Sequence, residues 1–174
     1  MKILETERLV LRQFDTNDAA FILILVNNPT WLLYIGDRNI RNEEDALHYL
    51  VNGPIKSYYQ HGFGLSMVEL KESNTPIGMC GLIKRDGLEN IDIGFALLPQ
   101  YAGHGYAYEI AAATMDHAKH TLGIEKIVAI TSEDNTHSIR LLNKIGMGFE
   151  KMVKLADDNE ELMLFTQEAG TGKI

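Results

Sequence analysis

Apolar positions along the chain follow two spacings, and the switches between them outline the elements. From Arg8 to Phe14, R-L-V-L-R-Q-F alternates loosely with the two-residue period of a half-buried strand. Asp15 to Asp18 supply turn and N-cap chemistry ahead of an apolar helix over Ala19 to Val26, which Asn27-Asn28-Pro29 stops. Trp31 to Ile35 is an aromatic and aliphatic patch that serves either as core packing or as one wall of a ligand pocket. Asn42 caps a second helix running from about Glu43 to Gln60, where Glu43, Glu44 and Asp45 suit the positive end of the helix dipole. Gly53-Pro54 kinks that helix or splits it in two.

The next segments read as strands. Gly62 to Glu69 and Pro76 to Lys84 form a hairpin across the polar turn Lys71 to Thr75, and a second turn at Arg85, Asp86 and Gly87 returns the chain from Leu88 into a central strand, Ile91 to Leu98. A helix pattern covers Tyr108 to Thr121. Lys126 to Thr131 is a short, nearly continuous apolar run, as expected of a strand buried on both faces, so strand, helix and strand imply a parallel crossover. Asn135 to Lys144 is amphipathic and ends at Gly146, and Phe149 to Leu155 and Glu161 to Thr166 close the chain as a hairpin across Ala156 to Glu160. The fold class is therefore α/β with a mixed sheet.

Between the central strand and its helix lies Q-Y-A-G-H-G-Y-A, Gln100 to Ala107. Glycines let a backbone approach a ligand closely, and the unpaired N–H groups of a first helical turn grip an anion such as a pyrophosphate without a lysine. An ordinary strand-to-helix turn would need the same two glycines. The alternatives among phosphate loops fail on pattern. The one Gly-Lys pair, Gly172-Lys173, has no helix after it, and Tyr108 stands where a dinucleotide fingerprint needs its third glycine.

Composition narrows the setting. With 174 residues, 45% hydrophobic and 23% charged, the chain suits one soluble domain over residues 1–168, with Ala169 to Ile174 as a frayed tail. Its net charge of −8 argues against nucleic acid or an anionic membrane as partner and suits a cationic substrate better. Cys80, the sole cysteine, forms no internal disulfide and reads as a small core hydrophobe in a reducing cytoplasm. Met1 to Arg8 is too charged for a signal peptide, and Ala19 to Val26, the longest apolar run, is far short of a bilayer span. His117 and His120 share a helix face but lack a third ligand, so no metal is expected.

A polar segment, Ser132 to Ser138, follows the carboxyl end of the buried strand, where open sheets place their ligand crevice. Asn135 either caps the following helix or meets an amide-bearing ligand arm, and Ser138 presents a hydroxyl to the same groove. At this point a resemblance becomes specific. The Gln100 to Ala107 loop resembles the Q/R-x-x-G-x-G/A coenzyme A loop of the GNAT acetyltransferases, and Asn135-x-x-Ser138 with Lys144-Ile145-Gly146-Met147 resembles their later N-x-x-S…K-x-G-F segment. The opening T-E-R-L-V-L-R, Thr6 to Arg12, with Asp18-Ala19 after it, is similar to the start of the ribosomal-protein N-acetyltransferase branch, the RimJ/RimL-like group.

The resemblance implies the GNAT fold, a sheet of about six to seven strands flanked by about four helices and splayed at the acetyl-CoA site by a bulge near Leu97. It implies acetyl-CoA as co-substrate, with no metal. Phe95, Ala96 and Leu97 would line the opening, Gln100, Gly103, His104, Gly105, Tyr106 and Ala107 the pyrophosphate, and Asn135, Ser138 and Asn143 the pantetheine side. An N–H near Leu97 or Leu98 would polarise the thioester carbonyl. Ser138 would return a proton to the departing thiolate, since Leu142 stands where many relatives carry tyrosine. Asp92, where relatives often carry glutamate, would act as general base through a water or would only orient the amine; burial among Ile91, Ile93 and Phe95 would raise its pKa. Ala102 and His104 depart from the usual tryptophan and cation, and Met147 replaces phenylalanine, a role Phe149 could take. The implied activity is acetyl transfer to a primary amine, a protein N-terminus being one such acceptor, by direct attack in a ternary complex in a cytoplasmic monomer or homodimer. A polyamine or antibiotic as acceptor, or an inactive CoA-binding module, are the alternatives.

Overall fold

A computed structural model describes residues 1–155 and 160–168. They build one mixed sheet in the order β1-β2-β3-β4-β5-β6-β8-β7. The strands are β1 (Lys2–Glu5), β2 (Leu9–Arg12), β3 (Leu65–Leu70), β4 (Pro76–Ile83), β5 (Ile91–Leu97), β6 (Lys126–Thr131), β7 (Gly148–Val153) and β8 (Leu162–Glu168). All neighbours run antiparallel except β5 and β6, the crossover pair joined through a helix. The count exceeds expectation by β1, a short edge strand in which only Ile3 and Leu4 are apolar, too little alternation to register as a strand.

Among the described residues, six α-helices flank the sheet: α1 (Ala19–Leu25), α2 (Pro29–Tyr34), α3 (Glu43–Leu50), α4 (Lys56–His61), α5 (Tyr106–His120) and α6 (Thr136–Lys144). Asn42 caps as expected, its Oδ1 accepting the Asp45 N–H, and Asn28, expected only to help stop the preceding helix, caps the next one, its Oδ1 accepting the Trp31 N–H. Pro54, which cannot donate to an α ladder, sits in a π-helical segment, Val51–Ile55, that separates α3 from α4. Trp31 is buried, Tyr34 is half-buried and Leu33 of the same short helix is 69% exposed, so of that patch only the tryptophan belongs to the core.

Two cores lie on opposite faces of the sheet. One packs α5 and α6 on Cys80, Leu82, Ile93, Ile127 and Phe165, and the other packs α1, α2 and α3 on Met67, Met79 and Leu98. Cys80 is fully buried, with its Sγ 3.5 Å from Thr114 Oγ1, and burial pushes the thiol up to about 12, which makes it the inert hydrophobe expected. Met147 is buried in the α5-side core, whereas Phe149 is 52% exposed and touches Phe165 edge-on, so methionine fills the aromatic position itself and Phe149 does not. The Ala156 to Glu160 turn lies largely outside the described residues, and the tail Ala169 to Ile174 entirely so. Among the described residues, no helix is long and apolar enough to cross a membrane.

Candidate active site

The sheet opens where the sequence placed its crevice. β5 pairs with β6 only at Ile91 and Asp92, opposite Ile127 and Val128. Beyond that point β6 stays bonded to β8 through Thr131 and β5 stays bonded to β4 through Leu97, so the two parallel strands part as a V. The β4–β5 ladder runs from Asp92 to Leu97 without a register shift, so the bulge expected near Leu97 is absent. Gly78 sets the closeness of that ladder: a Cβ there would lie 2.2 Å from the Ala96 carbonyl oxygen.

Ladder alternation decides which amides face the opening. Leu98 donates to the Ile77 carbonyl at 2.8 Å, and Ala96, Gly94 and Asp92 follow with the same parity against Met79, Gly81 and Ile83. The N–H groups of Phe95 and Leu97 therefore point away from β4, into the V. Of the two oxyanion donors expected, Leu98 is spent and Leu97 is available.

Past Leu98 a single turn, Pro99–Tyr101, leads into the glycine loop. Gly103 and Gly105 both take the left-handed conformation, with φ of 79° and 80°, which residues with a Cβ adopt only under strain. No side chain caps α5. Among the described residues, the N–H groups of Gly103, His104 and Gly105 find no protein acceptor, and the dipole of the fifteen-residue α5 stands behind them. His104 and Gln100 are exposed, Tyr106 and Ala107 half-buried.

Sequence reasoning overlooked what holds this loop. Arg8 Nη1 donates to the His104 carbonyl at 2.9 Å, its Nε pairs with Glu109 Oε2 at 2.7 Å, and its guanidinium lies 4.4 Å from the centre of the Tyr106 ring. Glu109 Oε1 also accepts the Thr6 hydroxyl at 2.6 Å and the Arg8 N–H at 2.9 Å. Burial would raise the Glu109 carboxyl, but these donors outweigh it and hold the group below its ordinary value. The T-E-R segment is thus the brace of the glycine loop. Its motif was legible, but its partner lies 101 residues away.

Across the V, α6 begins at the carboxyl end of β6. Asn135 Oδ1 accepts the Ser138 N–H at 3.2 Å, so the asparagine does cap the helix, and its amide nitrogen is left over. The half-buried Ser138 has no side-chain hydrogen bond among the described residues. Asn143 is exposed on the last turn of α6, and Lys144 Nζ stands 4.2 Å over the Tyr108 ring, tying α6 to the start of α5.

Asp92 lies at the fork, on the sheet face that packs α1 and α3. Its side chain is 2% exposed; Oδ2 meets Arg85 Nη2 at 3.4 Å and Oδ1 has no partner. Burial pushes its carboxyl up against the opposing pull of Arg85. His117 and His120 do not converge: His120 faces Asp116 at 3.5 Å on the open surface. Among the described residues no group of three His, Cys, Asp or Glu side chains is placed to hold a metal.

A splayed parallel pair beside an uncapped, glycine-entered helix is an arrangement whose open main-chain donors suit an anion and an extended arm. The sequence matches the acetyltransferase (GNAT) domain family over residues 8–148. It is 30% identical over 151 residues to the uncharacterized N-acetyltransferase YoaA of Bacillus subtilis, spanning 86% of this chain and 83% of that one. Among solved structures, the ribosomal-protein-S5-alanine acetyltransferase of Vibrio fischeri superposes with a TM-score of 0.80 at 19% identity, covering 100% of both chains. The spermidine N-acetyltransferase of Vibrio cholerae, solved with CoA and spermine, superposes at 0.76 and 19% identity over 94% and 96%. The chain belongs to the GNAT acetyltransferases, and it is an acetyl-CoA-dependent acyltransferase.

Proposed function

We propose that the protein moves acetyl from acetyl-CoA to a primary amine by direct attack in a ternary complex, with Ser138 and Asp92 handling the two protons. The observation that supports this most is the set of open main-chain donors at Gly103, His104 and Gly105 beside a V whose β5 edge offers the Phe95 and Leu97 amides. The loop grips the diphosphate of the co-substrate. The β5 edge takes the pantetheine as an added strand would, and the Leu97 N–H receives the negative charge that develops on the thioester oxygen. A neutral amine attacks the carbonyl carbon and gives up its proton through a water to Asp92, whose raised pKa suits a base working near neutrality. The carbon–sulfur bond then breaks and the Ser138 hydroxyl protonates the sulfur, taking a proton back from solvent as Asp92 releases the one it accepted.

On this reading residues 1–168 act as one transferase unit of the RimJ/RimL-like branch, with the acceptor reaching Asp92 from the α1–α3 face. Thiol release from acetyl-CoA with a panel of peptides and small amines tests it. Turnover on at least one primary amine is expected; CoA binding without turnover on any of them would leave a CoA-binding module instead.

A further inference from the structure

Resting on the co-substrate placement proposed above, we propose that Lys144 and Arg140, on one exposed stripe of α6, bind the 3′-phosphate of CoA, so that the protein distinguishes CoA from its dephospho form. Two cation–aromatic contacts mark the start of α5. Arg8 covers the Tyr106 ring at 4.4 Å, and Lys144 Nζ stands 4.2 Å from the centre of the Tyr108 ring. Their charges differ in availability. The Arg8 guanidinium is paired with Glu109 at 2.7 Å, whereas Lys144 has no carboxylate or hydrogen-bond acceptor among the described residues. Tyr108 belongs to the first turn of α5, directly after the open amides of Gly103, His104 and Gly105. Its ring therefore seats an unneutralised ammonium next to those donors and bridges α5 to α6 there.

The rest of α6 extends that charge. His137, Arg140 and Lys144 are exposed and fall at i, i+3 and i+7, which is one stripe along a helix, and Thr136–Lys144 contains no acid. Arg140 has no partner among the described residues. Two cations one turn apart repel each other, and this sequence has 24 Asp plus Glu from which an acid could have been set between them. A stripe left uncompensated in an acidic chain suits a ligand that brings its own negative charge. The shape of CoA says where that charge falls. With the pantetheine arm in the V and the diphosphate on the loop, the ribose and its 3′-phosphate lie outward of the loop, on the side where Tyr108 and Lys144 join the two helices. A phosphate monoester carries about 1.5–2 negative charges at pH 7, and the glycine loop offers it only dipoles. Lys144 and Arg140 supply full charges.

Calorimetry with CoA and with 3′-dephospho-CoA isolates this phosphate, because the two ligands share the diphosphate and the pantetheine arm. CoA should bind about tenfold more tightly, a margin that shrinks as salt is raised. Lys144→Gln should cut the margin to about twofold by weakening CoA and not the dephospho form, Arg140→Gln should cut it severalfold, and Lys144→Arg should keep most of it. Tyr108→Leu removes the seat but neither cation, and it should lower the margin too, with Tyr108→Phe preserving it. All three sites are exposed, so the variants leave the core untouched. Equal affinity of the wild type for both ligands, or a margin unmoved by Lys144→Gln, would overturn the inference while the transferase reading stands. Failure of both ligands to bind the folded wild type would instead remove the reading beneath it.

Discussion

Arg8 shows how one side chain can serve a site it does not enter. It bonds a carbonyl inside the glycine loop, an acid on the first turn of α5 and the face of Tyr106 together, and a Cβ on Gly105 would come within 3.3 Å of its Nη2. Arg8→Ala should weaken CoA binding by about tenfold, read by titration, and Arg8→Lys should not rescue it because a point charge cannot donate to two acceptors and stack on a ring at the same time. Ser138→Ala should lower kcat by about a hundredfold, the low end for a lost proton donor, with CoA affinity within about twofold. Asp92→Asn should likewise reduce turnover, and its stability has a separate signature. The Asp92 carboxyl titrates above its ordinary 3.8 when folded, so between the two values the folded chain keeps a proton that the unfolded chain has lost. Wild-type stability therefore falls as pH rises through that window, and the melting temperature of the Asn variant relative to wild type should climb over the same range and then level off. Ser138, Asp92 and the loop residues could be singled out from the sequence because each sits in a short local pattern. The Arg8 brace could not, because its partners His104 and Glu109 lie 96 and 101 residues away.

At the scale of elements, strands and helices announced themselves wherever period and punctuation agreed. Gly53-Pro54 divided a helix as read and Asn42 capped as read, while Asn28, read only as part of a helix stop, also caps the helix that follows. Pairing choices were harder to see: β1 has too few apolar residues to alternate, and the V was anticipated but not its cause. No register shift bends β5 against β4; past Asp92, β6 stays paired with β8 along its full length while β5 stays paired with β4. The β4–β5 ladder, by contrast, tolerates no slack. Gly78→Ala would force a methyl to 2.2 Å from a backbone oxygen, and we expect a loss of about 1–3 kcal/mol of unfolding free energy, read as a lower denaturant midpoint at unchanged slope. Met147 illustrates the same limit in the core, since its burial in place of an aromatic ring, with Phe149 outside, depends on volumes that a motif does not encode.

For the whole molecule, the acidic balance is an average over the surface and a poor guide to any one place on it. A net charge of −8 taken alone suits a cationic partner, yet the glycine loop presents unpaired main-chain donors at Gly103, His104 and Gly105, which suit an anion. CoA at a hundred times its dissociation constant should add about 2.7 kcal/mol to stability, readable as a rise of roughly 5–11 °C in melting temperature at this size. The parted strands carry a further consequence for exchange of amide hydrogens with deuterated solvent. Without ligand, Phe95 and Leu97 should trade their protons quickly while Gly94 and Ala96, one residue away on the same strand, remain slow. A residue-by-residue comb of fast and slow amides along seven positions of backbone would thus report, in the empty protein, the hydrogen bonds held in reserve for its co-substrate.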